Sequence, residues 1–425
     1  MMTIEKTTSM RAKLTTAALA LFLVFGAKAQ LFDTTGMGSW PLLTNSYESW
    51  SVGAFNQGRD ANDPADFGWG NYNLATHLIE GDSIYILKTV QGNYKAISID
   101  GLASGVFTIT YSDLDGGNKT TKLLDRSPYG AKNFFYYSLD SEIEKDLEPI
   151  TDNWDILFTK YLISFPGFGF YPVTGVLHNR NVRVSQVEKD SGVSASVTDT
   201  IQFPLSDNIS TIGYDWKDAG PQGIRVFDTL TYFVRDQYYN INELRFTGYS
   251  GSGTGKVFFT VNGQPDSVVM GAGNTDEIYY SLENKGSAGV NQDKDWDLAF
   301  FAQSSFTAIP VRINDVGGAE LYIYPRADIF HWNTADLEEN ELSLLSVYPN
   351  PARDMVNLAL NAEMDRTASV SFMNLGGQVI AQRQFNILPG MAEIELSTED
   401  LPSGVYLLQL ESGSYRAVTR LVVER

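Results

Sequence analysis

The chain has 425 residues, with 31 basic against 51 acidic side chains, a formal charge of −20 and no cysteine. That length supports two or three cores. The charge argues against nucleic acid and anionic headgroups as partners, since both need a basic face. The absence of cysteine removes disulfides, thiolate nucleophiles and cysteine-ligated zinc.

Residues 1–29 read as a signal peptide. Arg11 and Lys13 form a basic start, Leu14 to Phe25 is a short apolar run, and Ala27-Lys28-Ala29 gives the small-x-small cleavage pattern before Gln30. The run is too short to span a bilayer, so the mature chain is expected to have no transmembrane segment. From Gln30 to about Pro64 the chain is rich in Gly, Ser, Asn and Trp without periodicity. The cluster Asn56 to Asp66 is a loop by composition. Its Asp60, Asp63 and Asp66 lack the ligand order and closing Glu of an EF-hand.

Beyond Phe67 short β-branched and aromatic runs dominate: Ser83 to Leu87, Tyr94 to Ile99, Val106 to Tyr111 and Phe134 to Ser138. A phrase then occurs twice. Phe135-Tyr136-Tyr137-Ser138-Leu139 leads to Asn153-Trp154-Asp155-Ile156-Leu157-Phe158, and Ile278-Tyr279-Tyr280-Ser281-Leu282 leads to Asp295-Trp296-Asp297-Leu298-Ala299-Phe300. The blocks Asp82 to Lys88 and Asp228 to Arg235 repeat upstream in the same order. A recurrence of roughly 145 residues marks a duplicated unit. The predicted architecture is all-β: a first antiparallel β unit over 30–190, a second over 205–332, and an acidic linker over 333–341. The alternation predicts Trp154 and Trp296 in the core, with Asp155 and Asp297 on the outward strand face. Asn substitutions of those acids would then change stability by no more than ~0.5 kcal/mol.

Residues 342–425 change texture, with six or seven short alternating runs separated by turns, the pattern of a small C-terminal β-sandwich. Tyr348-Pro349-Asn350-Pro351-Ala352, the Asn374-Leu375-Gly376-Gly377 turn, Leu401-Pro402-Ser403-Gly404-Val405-Tyr406-Leu407 and Arg420-Leu421-Val422-Val423-Glu424 together resemble the type A sorting domain of the type IX secretion system. The resemblance implies Sec export, carriage across the outer membrane by the type IX machinery acting on 342–425, and a secreted or surface location.

The two upstream units resemble, through scattered blocks, the HmuY-like haem-binding family. The matching elements are the Tyr-Tyr-Ser-Leu and Trp-Asp strands and the stretch Tyr72-Asn73-Leu74-Ala75-Thr76-His77. What this implies is an all-β fold and haem, or another small apolar ligand, held with His77 as an axial ligand. The strand block precedes Trp-Asp in each copy, a departure from the family order, so the outer pieces are candidates to pair with each other. The other histidines are His178, in an expected loop, and His331.

No pattern for catalysis emerges. Gly251 to Lys256 imitates a phosphate loop without its spacing or helix, and Gly248 to Ser252 lacks the last glycine of a nucleophile elbow. The reading is an exported, non-enzymatic ligand-binding protein with no catalytic residues and no metal site. A structural or adhesive surface protein is the alternative, and a hydrolase using carboxylates such as Asp155 and Asp297 a third.

Overall fold

A computed structural model describes residues 31–325 and 342–425, apart from 75, 166, 222, 304, 306, 307, 363, 364, 375–377, 389, 413 and 414. The signal segment, the acidic linker, His331 and part of the turns at 374–377 and 388–390 lie outside the described residues. Strands dominate, paired antiparallel, and no α-helix occurs among the described residues. None of their helical segments is long and apolar enough to cross a membrane.

Residues 31–68, 72–79 and 85–322 form one compact unit, in which the duplication is plain. The turn after Lys88 closes with Thr89 N–H donating to Asn93 C=O, and the turn after Arg235 closes the same way from Asp236 to Asn240. Tyr94–Ala103 pairs with Val106–Asp113, which pairs with Thr120–Asp125. In the second copy Ile241–Tyr249, Lys256–Val261 and Gln264–Val269 repeat that meander.

The copies then exchange strands. Phe134–Ser138, the first Tyr-Tyr strand, pairs with Leu298–Phe301, the second Trp-Asp strand. Glu277–Ser281, the second Tyr-Tyr strand, pairs with Ile156–Phe165, the first Trp-Asp strand. Each four-stranded sheet therefore draws its two central strands from different copies. One runs Val311–Ile313, Leu298–Phe301, Phe134–Ser138, Ile143–Lys145, and the other Gly169–His178, Ile156–Phe165, Glu277–Ser281, Gly286–Asn291. The reciprocity is that of an isologous dimer contained in one chain.

The aromatic and β-branched residues that made these runs legible fill the interior. Phe158 and Phe259 stack at 5.3 Å, and Trp216 stacks on Phe246 at 4.1 Å. The stretch 188–206, read as a linker without a core pattern, contains the short turn Val197–Ile201 and still buries Ala195 against Val187 and Phe233.

The second unit contains Trp69–Asn71, Glu80–Ile84 and the chain from Ile323 onward. Its C-terminal part is a two-sheet sandwich. Leu342–Tyr348, Met355–Ala362 and Gly390–Ser397 form one sheet, and Val379–Ile387, Arg366–Met373, Gly404–Ser412 and Tyr415–Val423 form the other. Val356, Leu358 and Leu360 pack with Phe372, Leu408 and Leu410 in a core of its own. Two of the motifs read in the sequence meet here. Asn350 donates from Nδ2 to Arg420 C=O at 2.9 Å and accepts Val422 N–H at 2.8 Å, which fastens Tyr-Pro-Asn-Pro to the last strand.

Candidate functional site

The duplicated Trp-Asp pairs sit at the start of their strands and not within them, and this corrects the expected orientation of the acids. Asp155 and Asp297 are 3% and 0% exposed. Asp297 accepts Val90 N–H on Oδ1 and Leu139 N–H on Oδ2, both at 2.8 Å. Asp155 accepts Leu282 N–H at 2.8 Å and also engages the Gln237 amide. Gln237 and Val90 occupy the same place in their turns, so each carboxylate ties two backbone positions of the opposite copy. Burial pushes both carboxyls up to about 6, against the pull of the amides they accept. The period-two rule failed because it holds only inside a pleated strand.

With the acids turned inward, the tryptophans face one cavity of about 290 Å³ lying where the two copies meet. Trp154 contacts Tyr279 edge-on at 5.0 Å and 75°, and Trp296 contacts Tyr136 at 4.9 Å and 71°. Both pairs join opposite copies. Trp154 is buried and Trp296 half-buried, so the pair expected as core does double duty as core and cavity wall. Paired asparagines hold them: Asn179 donates to Trp154 C=O at 2.8 Å, and Asn314 to Trp296 C=O at 3.0 Å. Neither indole N–H has a partner, and the Oδ2 of the lining Asp315 has none either.

The N-terminal stretch breaks the symmetry. Trp50 lines the cavity and donates from its indole nitrogen to His178 C=O at 2.8 Å. Tyr47 donates its hydroxyl to Asp315 at 2.6 Å. Arg312 lies 5.0 Å from the Trp50 ring and 5.2 Å from the Tyr47 ring, and donates to Ser46 C=O at 3.1 Å. Glu148 closes another side. It accepts the amides of Asn133 and Phe134, the latter at 2.8 Å, and the Tyr136 hydroxyl at 3.3 Å. Burial outweighs those bonds and pushes its carboxyl up to about 8, so it is largely neutral at pH 7. Burial likewise raises Tyr136 and Tyr279 well above the usual phenol range. Glu277, on the same strand as Tyr279, takes Asn291 Nδ2 at 2.6 Å and Thr159 Oγ1 at 3.1 Å.

Of these residues only the tryptophans, the Asp pair and the Tyr-Tyr strands were singled out from the sequence. Tyr47, Trp50, Glu148 and Arg312 were not. The tryptophan content of 30–64 is a visible signal for Trp50 alone, because a lone acidic residue such as Glu148 reads as solvated.

His77 lies elsewhere in the same unit. It is exposed, holds φ at +58°, and its Nδ1 shares a 2.8 Å hydrogen bond with the Tyr72 hydroxyl. It lines a second cleft of about 580 Å³ with apolar Phe67, Ile79, Leu102 and Ile309, and with Arg126. These residues offer haem one axial nitrogen and an apolar wall. No second His or Met lines the cleft among the described residues. His178 ends the strand Gly169–His178 instead of lying in a loop. It is buried, with Nδ1 2.9 Å from Asn179 C=O and Nε2 2.8 Å from Asn208 C=O, so both ring nitrogens are engaged. Asp60 and Asp66 are likewise used within their own loop, where Asp66 accepts the Asp60 and Gly68 amides at 2.6 Å.

Residues 346–424 match the secretion system C-terminal sorting domain. The chain thus carries the type IX sorting tail of an exported protein, destined for the surface or for secretion. No curated protein matches it. Among solved structures, a β-glucosidase from Kluyveromyces marxianus is similar at 16% identity over 20% of this chain and 14% of that one, with a TM-score of 0.15. A Bacteroides fragilis protein described as a β-galactosidase is similar at 10% identity over 62% of this chain and 41% of its own, with a TM-score of 0.13. The chain thus spans less than half the length of either structure, and overlaps so shallow define no shared fold.

Proposed function

We propose that this is an exported, non-enzymatic ligand-binding protein, and that its ligand sits in the aromatic cavity between the two copies. One observation carries the reading: the duplicated tryptophans, whose buried indole N–H groups have no partner, together line one cavity walled by aromatic rings. Buried donors without partners are uncommon in folded proteins, and an apolar pocket with a few convergent polar groups is the usual form of a small-ligand site. The carboxyls support binding over catalysis. Asp155 and Asp297 are consumed by backbone amides, and Glu148 by two more. The sorting tail makes the ligand an extracellular one.

The test is a thermal-shift screen of the full exported chain against small ligands, haem included, repeated on Ala299→Phe, which narrows the cavity. Hits that raise the midpoint for the native chain and vanish in Ala299→Phe support the reading. Hits indifferent to that substitution, or no hits, overturn it. A Soret shift lost in His77→Ala would place haem in the second cleft, with His77 as its axial ligand.

A further inference from the structure

The hairpin of Ile156–Phe165 and Gly169–His178 carries more than its share of the sheet. The two strands pair with each other along their whole length, but Glu277–Ser281 joins them only at Ile156 to Phe158. The hairpin therefore runs on past that strand for about 20 Å, at roughly 3.3 Å per residue. Its base stays packed, with Tyr161 and Val173 buried. Its end does not. Phe168 is 91% exposed, and Phe165, Phe170 and Tyr171 are exposed with it. The second copy shows that the fold does not require this extension, since its matching strands are only Leu298–Phe301 and Val311–Ile313.

We propose that this tip seats the exported chain on a lipid–water interface with uncharged or zwitterionic headgroups. The proposal is independent of the cavity.

The pattern of the two faces selects the partner. Cross-strand pairs share a face, and a strand with one covered face alternates apolar with polar. Here Ile163, paired with Tyr171, and Phe165 lie on one face, while Leu162, paired with Pro172, and Phe170 lie on the other. Ser164 is the one polar residue among these pairs. A protein partner would cover one face, whereas a fluid apolar boundary surrounds both. From Tyr161 to His178 there is no Asp, Glu, Lys or Arg, in a chain that is 19% charged, so no ionic group has to be desolvated. Tyr171 and the phenylalanines are the residue types that settle at headgroup level.

The backbone limits the depth. The ribbon satisfies its inward-facing groups, and the Phe168 N–H closes the turn on Phe165 C=O at 3.0 Å. The outer edges of a two-stranded ribbon still need water, so the tip enters the headgroup–acyl boundary and does not span. Charge limits the surface. A formal charge of −20 opposes anionic headgroups.

The experiment is flotation of the full exported chain with phosphatidylcholine vesicles, repeated with phosphatidylglycerol added. The chain should float with phosphatidylcholine, with little dependence on salt, and less well once the anionic lipid is present. Phe168→Ser and Phe170→Ser should each weaken flotation about tenfold, the scale of removing one phenyl ring from an apolar setting. Both side chains are exposed, so unchanged melting midpoints will separate lost binding from lost fold. Phe168→Trp should keep flotation and add fluorescence that brominated phosphatidylcholine quenches. Absence of flotation with phosphatidylcholine, or flotation indifferent to Phe168→Ser, would overturn the proposal. Self-association in sedimentation velocity that Phe168→Ser abolishes, without flotation, would assign the tip to a second copy of the chain and overturn it as well.

Discussion

Asp155 accepts the Leu282 amide at 2.8 Å, across the boundary between the two sequence copies, and Asp297 repeats the contact with Leu139 at the same distance. Each acid is thus a clasp on the strand that the other copy contributes. Asn at either site keeps one acceptor oxygen but turns an amide donor toward a backbone N–H. We expect Asp155→Asn and Asp297→Asn each to destabilise the unit by ~1–3 kcal/mol, the penalty for leaving a buried donor unpaired. Denaturant melts check this. Shifts within ~0.5 kcal/mol would return both acids to the surface role first read from the sequence.

The strands and their duplication were legible because aromatic and β-branched residues alternate between turn formers, and because Tyr-Tyr-Ser-Leu and Trp-Asp recur at matching separations. The exchange was not. Alternation says which face of a strand is buried but not which strand lies beside it, so Phe134–Ser138 pairing with Leu298–Phe301 leaves no local signature. The cavity was hidden for a related reason. Trp154 looks like any core tryptophan in sequence, and only the exchange brings Trp296, Tyr136 and Tyr279 to the same space.

Trp154, 1% exposed, should be the more costly of the two tryptophans to truncate. Trp154→Ala is expected to destabilise by ~3–5 kcal/mol, as large aromatic truncations in cores do. Trp296 is only half-buried, so Trp296→Ala should destabilise less, about 1–3 kcal/mol. Equal midpoints for both variants and the native chain would mean that neither ring contributes to packing.

The sorting sandwich has a hydrophobic core of its own, as expected of an element that folds independently. Deleting 342–425 should leave the upstream unit folded, with its near-ultraviolet aromatic signal intact, but retained in the periplasm of a host that has type IX secretion. Fractionation decides the matter. Normal arrival of the truncated chain at the surface would show that these residues do not direct its export.

Glu148 predicts a pH dependence whose sign is fixed by its surroundings. Burial raises its carboxyl from the ordinary 4.5 to about 8, so between those values the folded chain binds a proton that the unfolded chain has released. The associated stability is complete below pH 4.5 and is lost as pH rises through about 8. Asp155 and Asp297 act in the same direction but only up to about pH 6. His178, held below its ordinary 6.5 by burial, acts in the opposite direction and only on the acid side of that value. Lys217, lowered by burial to about 8, acts above that value. Between pH 6.5 and 8 Glu148 is therefore the dominant shifted group. Stability of the native chain should fall there, by about 1.4 kcal/mol per pH unit at 6.5 and by about half of that near 8, where the folded carboxyl is half ionised. Glu148→Gln keeps an acceptor for the Asn133 and Phe134 amides and has no proton to lose, so its melting midpoint should be nearly level across the same interval. Calorimetric melts of both proteins at a series of pH values measure the difference directly. A native midpoint that stayed level from pH 6.5 to 8, or a variant that fell in parallel with it, would show that the carboxyl is ionised in place and that its amide partners outweigh its burial.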